Sequence, residues 1–202
     1  MRYLDIFSTA LGKTKLNLTN KDKNNLLLFA HKVNYLKSGS QKNHNKTLVS
    51  EELYVLDKDI FKNIKKEILK CFSQYIDLYK YESNFFITTS WITKSQPGNY
   101  GEYHKHMNCF LSGVYYFKFP INSGFISFNK FNNENIQVIP KEWNKYNGYG
   151  HTESIEENDI IFFPGNLHHS QLENNSNDVR YSLAFNFMPK GKNGYGDSTF
   201  EY

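Results

Sequence analysis

Two stretches of the chain hold residue types that can bind a metal. His104-Lys-His106 places two imidazoles one residue apart and runs into the aromatic segment Phe110–Phe119. If this stretch is extended, residues two apart share a face and the pair forms a clamp. About sixty residues on, Phe162-Phe-Pro-Gly-Asn-Leu-His168-His169 supplies a second pair, of which parity lets only one histidine join the first two. Two imidazoles from one element and one from another make a donor set for a mononuclear transition metal. Arg180 follows His169 by eleven residues, with Ser182 at the same parity. A guanidinium fork beside a hydroxyl is suited to a carboxylate. Each feature alone has a plainer reading: polar residues at a strand edge for the histidines, and an ion pair with Asp178 for Arg180.

These residues need a scaffold, and the hydrophobic pattern predicts an α+β one. Asn20 is a candidate cap for a helix from Lys21 to about Leu36, carrying Leu26, Leu27, Phe29, Ala30 and Val33 at helical spacing. Residues 38–46 read as a polar loop, with His44 at the surface. Asp57 opens a longer helix to about Tyr79, whose apolar stripe is Ile60, Phe61, Ile64, Ile68, Phe72, Tyr75 and Ile76. Cys71 lies within it as a small packing residue. From Phe85 the pattern turns to short runs of aromatic and β-branched residues: 85–92, 110–119, 125–128, 160–163 and 180–188. Helices followed by short strands separated by turns suit a barrel or a jelly roll of the cupin-like kind. The expected organisation is a single domain over 1–202. A helical part, 1–80, packs on a strand core, 85–188, and a glycine-containing tail, 190–202, follows with little to anchor it.

Composition narrows the classes. The 39% hydrophobic and 17% aromatic content supports a packed core. The net charge of +4 comes from basic residues spread along the chain, apart from Lys62, Lys65, Lys66 and Lys70 on one helix. A solvated surface explains that spread better than a nucleic-acid face does. Only two cysteines, Cys71 and Cys109, are present, in no C-x-x-C pair, which excludes a cysteine-rich zinc fold and a disulfide framework. No run approaches the ~18 apolar residues of a membrane span, and the N-terminus lacks a signal-peptide core. The expectation is a cytoplasmic protein that binds neither membrane nor nucleic acid, with a homodimer left open.

Four blocks taken together carry a resemblance: Ser90-Trp91; His104-Lys-His-Met-Asn-Cys-Phe-Leu-Ser-Gly-Val-Tyr-Tyr116; Phe162-Phe-Pro-Gly-Asn-Leu-His-His169; and Arg180-Tyr-Ser-Leu-Ala-Phe-Asn186. In order and spacing they resemble the iron- and 2-oxoglutarate-dependent oxygenases, in particular prolyl-hydroxylase-like members of phages and marine bacteria. The resemblance covers about residues 85–188. It implies a double-stranded β-helix (jelly-roll, cupin-like) core with Fe(II) at its open end. The implied ligands are His104, His106 and His169, with His168 at a variable position. Arg180, with Ser182 and Tyr116, is implied to hold the far carboxylate of the co-substrate 2-oxoglutarate. The implied reaction is hydroxylation of a C–H bond using O2, with release of succinate and CO2. Most relatives have a carboxylate where His106 stands. Glu102, two residues before His104, is the alternative carboxylate donor.

Two other readings remain. A three-histidine cupin-like enzyme would use the metal without a keto acid, and a β-sandwich binding module would hold no metal. The substrate, a protein side chain such as a peptidyl proline or a small molecule, is not specified by these residues. Trp91, Tyr100, Tyr103 and Asn108 are candidates for the mouth of the site. The insertion 129–150, with Trp143, Tyr146 and Tyr149, is the expected specificity element. Cys109 has the wrong parity to be a ligand.

Overall fold

The computed structural model describes all residues except Tyr3, Leu4, Phe7, residues 38–44, residues 131–137 and Tyr202. His44, most of the expected 38–46 loop, and Ile136 of the insertion therefore lie outside the described residues. A first strand, β1 (Gly12–Lys15), is followed by α1 (Asn20–Lys32). Thr19 caps α1 in place of Asn20, its hydroxyl accepting from the Asp22 N–H at 3.1 Å. The helix stops before Leu36 because Val33 turns extended and residues Tyr35–Lys37 form β2, which pairs with β3 (Leu48–Ser50).

The second helix, α2 (Lys62–Ile76), is shorter than the apolar stripe predicts. Extended backbone at Lys58 splits its expected first turns into two 3₁₀ turns. After Tyr79 the left-handed Lys80, at φ 52°, ends it. Ile64, Ile68, Phe72 and Tyr75 are buried, whereas Ile60 turns out to solvent. Each fully buried side chain of this size contributes roughly 1.5–3 kcal/mol.

The remaining strands are β4 (Asn84–Ser95), β5 (Leu111–Lys118), β6 (Ile126–Asn129), β7 (Gly150–Glu153), β8 (Asp159–Pro164), β9 (His168–Gln171) and β10 (Arg180–Lys190). They form a seven-stranded sheet in the order β1-β8-β5-β10-β4-β3-β2 and a three-stranded sheet in the order β7-β6-β9. Every pair is antiparallel, and from β5 to β10 the chain passes repeatedly between the sheets. This is a double-stranded β-helix. The tail, expected to be loosely held, folds into a small hairpin of β11 (Lys192–Asn193) and β12 (Phe200–Glu201).

The large sheet is covered on both faces, so its strands read as unbroken apolar runs. Tyr115, Ile160, Phe162, Leu183, Phe185 and Phe187 face the helices, where Phe72 stacks on Phe187 at 3.8 Å. Their neighbours Tyr116, Ile161 and Phe163 face the small sheet, together with Ile126 and Phe128. Alternation along β10 therefore turns Arg180, Ser182 and Asn186 toward the interior between the sheets. There Ser112 of β5 and Thr89 of β4 stand directly opposite Asn186.

Candidate metal centre

The segment 101–110 is a loop, not the strand that the parity argument assumed. Backbone hydrogen bonds hold it in place of a regular ladder. The Gly101 N–H donates to Gln171 O at 2.8 Å, and the His106 N–H to Gly165 O at 2.9 Å. The His104 N–H donates to His169 O at 2.9 Å, and the return bond is 2.8 Å. Gly165 itself bonds Phe110 O at 3.0 Å, and a Cβ there would lie 2.5 Å from Cys109 O. That tight turn requires glycine. His104 and His106 thus converge because the loop is sewn to β9 and the turn before it.

Possible ligand atoms of His104, His106 and His169 all lie within 4.8 Å of one another. The His104 ring centroid is 4.4 Å from that of His169 and 5.3 Å from that of His106. Each Nδ1 faces an oxygen: Glu102 O at 2.8 Å from His104, Asn186 Oδ1 at 2.6 Å from His106, and Leu167 O at 2.9 Å from His169. A carbonyl oxygen only accepts, so each Nδ1 carries a proton, which leaves Nε2 as the nitrogen that can bind a metal. Burial, reinforced by His104, pushes His169 down to about 3, and burial also lowers His106. Both are neutral at pH 7, the state a metal requires. The donor set, its tautomers and its protonation fit a metal ion held on one face.

Other candidates fall outside this cluster. His168 turns away and stacks on Tyr103 at 5.3 Å. The Glu102 carboxylate pairs with the buried ammonium of Lys46, and only its carbonyl serves His104. The alternative carboxylate donor is therefore committed elsewhere. Cys109 donates to Leu111 O at 2.8 Å, and burial raises its thiol pKa. Trp91 flanks His106 at 5.6 Å between ring centroids, and Tyr100 forms a bridge to Lys46. Asn108 bends the loop with φ 53°.

Arg180 is 2% exposed. Its Nη1 donates to the carbonyls of Ser123, Gly124 at 3.4 Å and Leu172 at 3.3 Å. Among the described residues no carboxylate forms an ion pair with it. Asp178, the plainer partner, instead bonds Lys118 at 2.8 Å. Burial lowers the guanidinium pKa to about 10, so it remains charged. The Ser123 hydroxyl, on a residue whose carbonyl meets Arg180, is buried with no partner among the described residues. A buried cation without an anion, beside an orphaned donor, fits an anionic ligand. The Tyr116 hydroxyl donates to Gln171 Oε1 at 2.9 Å, and Gln171 Nε2 to Gly124 O at 3.0 Å. Ser182 shares a hydrogen bond with Thr93 at 2.5 Å and makes none with Arg180.

A cavity of about 950 Å³ opens beside the small sheet, lined among others by Trp143, Tyr149, Lys130 and Leu167. Phe128 lines it too, and its ring centroid lies 6.0 Å from that of His169.

A double-stranded β-helix with three converging histidines is a scaffold suited to a mononuclear metal. Residues 89–186 match the family described as "Putative 2OG-Fe(II) oxygenase". The structure is similar to a prolyl-4-hydroxylase from Pseudomonas putida (TM-score 0.59, 10% identity, covering 89% of this chain and 93% of that one). It is also similar to HygX from Streptomyces hygroscopicus with nickel, 2-oxoglutarate and hygromycin B bound (TM-score 0.62, 8% identity, 90% and 83% covered). A 2OG-Fe(II) oxygenase family oxidoreductase from Burkholderia pseudomallei gives a TM-score of 0.58 at 10% identity, with 87% and 84% covered. At these identities the likeness is one of fold. No curated protein matches the chain in sequence.

Sequence reasoning missed Gln171, Asn186, Ser112 and Lys46 as supports of the site. Only Asn186 carried a signal, sharing the parity of Arg180 and Ser182.

Proposed function

We propose that the chain is an Fe(II)- and 2-oxoglutarate-dependent dioxygenase that hydroxylates a C–H bond. The observation that carries this reading is the cluster of three histidines, each tied through Nδ1, in a core that also buries a guanidinium with no carboxylate partner among the described residues. His104, His106 and His169 would hold the iron, and Arg180 would receive the far carboxylate of 2-oxoglutarate. When bound, the iron and keto acid supply the O2 chemistry that yields succinate, CO2 and a hydroxylated product. Tyr116 and Gln171 brace the carbonyls around Arg180. Phe163 and Phe128 press on the ring of His169, limit its rotation and keep water off its buried side. Substrate, whether a protein side chain or a small molecule, would enter by the cavity beside Trp143 and Tyr149.

The test is anaerobic reconstitution with Fe(II) and 2-oxoglutarate, followed by exposure to O2. Succinate should form, His169→Ala should abolish it, and Arg180→Ala should weaken it strongly. A three-histidine enzyme without a keto acid would leave Arg180 dispensable. A protein that takes up no metal would be a binding module.

A further inference from the structure

The three histidines of the cluster are tied through Nδ1 to uncharged oxygens. For His104 and His169 these are backbone carbonyls, which no substitution can charge. For His106 the acceptor is a side chain. Asn186 Nδ2 donates to Thr89 Oγ1 at 3.2 Å, which fixes the amide and leaves Oδ1 to accept from His106 at 2.6 Å and from Ser112 Oγ at 2.5 Å. An aspartate has the same shape. At this position it would complete a carboxylate–histidine–metal triad and strengthen His106 as a donor.

The chain instead keeps negative charge away from the centre. Among the described residues, the group of possible ligands at the centre holds three histidines and no carboxylate. Glu102, the carboxylate in the ligand loop, is committed to Lys46. The other fixed charge of the site, Arg180, is a buried cation. A divalent ion would therefore meet three imidazole donors and, among the described residues, no anionic ligand.

We propose that Asn186 withholds a negative charge from the metal centre, so that metal is held firmly only together with a dianionic keto acid and the two load as a coupled pair. This rests on the three-histidine reading above. Coupling is reciprocal: 2-oxoglutarate tightens metal binding by the factor by which metal tightens 2-oxoglutarate binding.

The test uses the full chain, stripped of metal and titrated anaerobically with Fe(II), with and without 2-oxoglutarate. The expected tightening by 2-oxoglutarate is about tenfold or more. A chelating acid tightens many metal sites, so the change in coupling decides the matter. Asn186→Asp should bind Fe(II) alone about 10-fold more tightly than the native chain and show a smaller coupling factor. Asn186→Leu, which removes the acceptor without adding charge, should weaken Fe(II) binding with the coupling factor retained. On the native chain, the uncharged dimethyl ester of 2-oxoglutarate should leave Fe(II) affinity unchanged, a measurement that needs no variant to fold. Equal tightening by acid and ester, or an unchanged coupling factor in Asn186→Asp, overturns the proposal. A folded native chain that takes up no Fe(II) under either condition defeats the three-histidine site itself.

Discussion

His104 and His169, sixty-five residues apart in sequence, exchange both of their backbone hydrogen bonds, at 2.9 and 2.8 Å. Their rings lie 4.4 Å apart on this closed pair. Replacing His169 by alanine should therefore leave the backbone bridge and the far-ultraviolet circular dichroism intact. Iron uptake should fall from about one equivalent per chain to near zero, since two histidines do not hold a divalent ion firmly. Elemental analysis of the refolded, iron-treated variant checks this.

Arg180→Met keeps the aliphatic packing and removes the guanidinium. Hydrogen bonds to a charged group contribute about 1.5–3 kcal/mol, so the KM for 2-oxoglutarate should rise roughly 10- to 100-fold. At saturating 2-oxoglutarate the metal content should stay as in the native chain. Succinate formation against 2-oxoglutarate concentration measures the effect, and an unchanged KM would show that the co-substrate lies elsewhere.

The metal-free protein should lose stability on acidification through His169. Its folded pKa, lowered by burial to about 3, lies below the ~6.5 of an unfolded histidine, so below pH 6.5 the unfolded chain takes up the proton first. The contribution is fully present above pH 6.5 and is lost progressively as the pH falls toward 3. His169→Gln, melted in chelator at pH 7 and pH 5, should show a smaller drop in Tm than the native chain. An equal drop would mean that other groups control the acid limb.

Gly113 lies at the centre of β5, opposite Phe185. A Cβ there would sit 2.3 Å from Phe185 Cε2 and 3.0 Å from Ile161 O. Gly113→Ala should cost about 1–3 kcal/mol, as overpacking does, and chemical denaturation should show it. Gly98→Ala has open space for its Cβ but a φ of 78°, so its smaller cost would come from the backbone alone.

Glu102→Gln leaves the Lys46 ammonium, 4% exposed, without its partner charge. Glu102 is itself 44% exposed, so water softens the penalty to about 1–2 kcal/mol rather than the 3–5 of a fully buried pair. The loop that carries His104 should loosen, seen as faster amide exchange at residues 101–106 with little change in β5 or β10.

The strands around the site were legible because both faces of the large sheet are buried, which makes runs such as Ile160–Phe163 plain in sequence. The four blocks from Ser90 to Asn186 were legible as a constellation, and the structure draws His104, His106 and His169 from them into one cluster. What the sequence hides is pairing over distance. β1 and β2 are short edge strands with no period of their own. Glu102 meets Lys46 across fifty-six residues, so nothing local separates it from a ligand. Thr93 takes the Ser182 hydroxyl because the two are opposed in register, and register depends on a bulge at Asn186/Phe187. The ligand loop was read as a strand because His-x-His has the same spacing in either state.

The sewing of residues 101–110 to β9 has a kinetic consequence. Every bond in that seam joins segments dozens of residues apart, so the loop entropy is overcome only after the sheets have met. The ligand cage is then among the last parts of the chain to form, and it forms from backbone bonds that need no ion. A cage closed by backbone bonds does not require the ion to form.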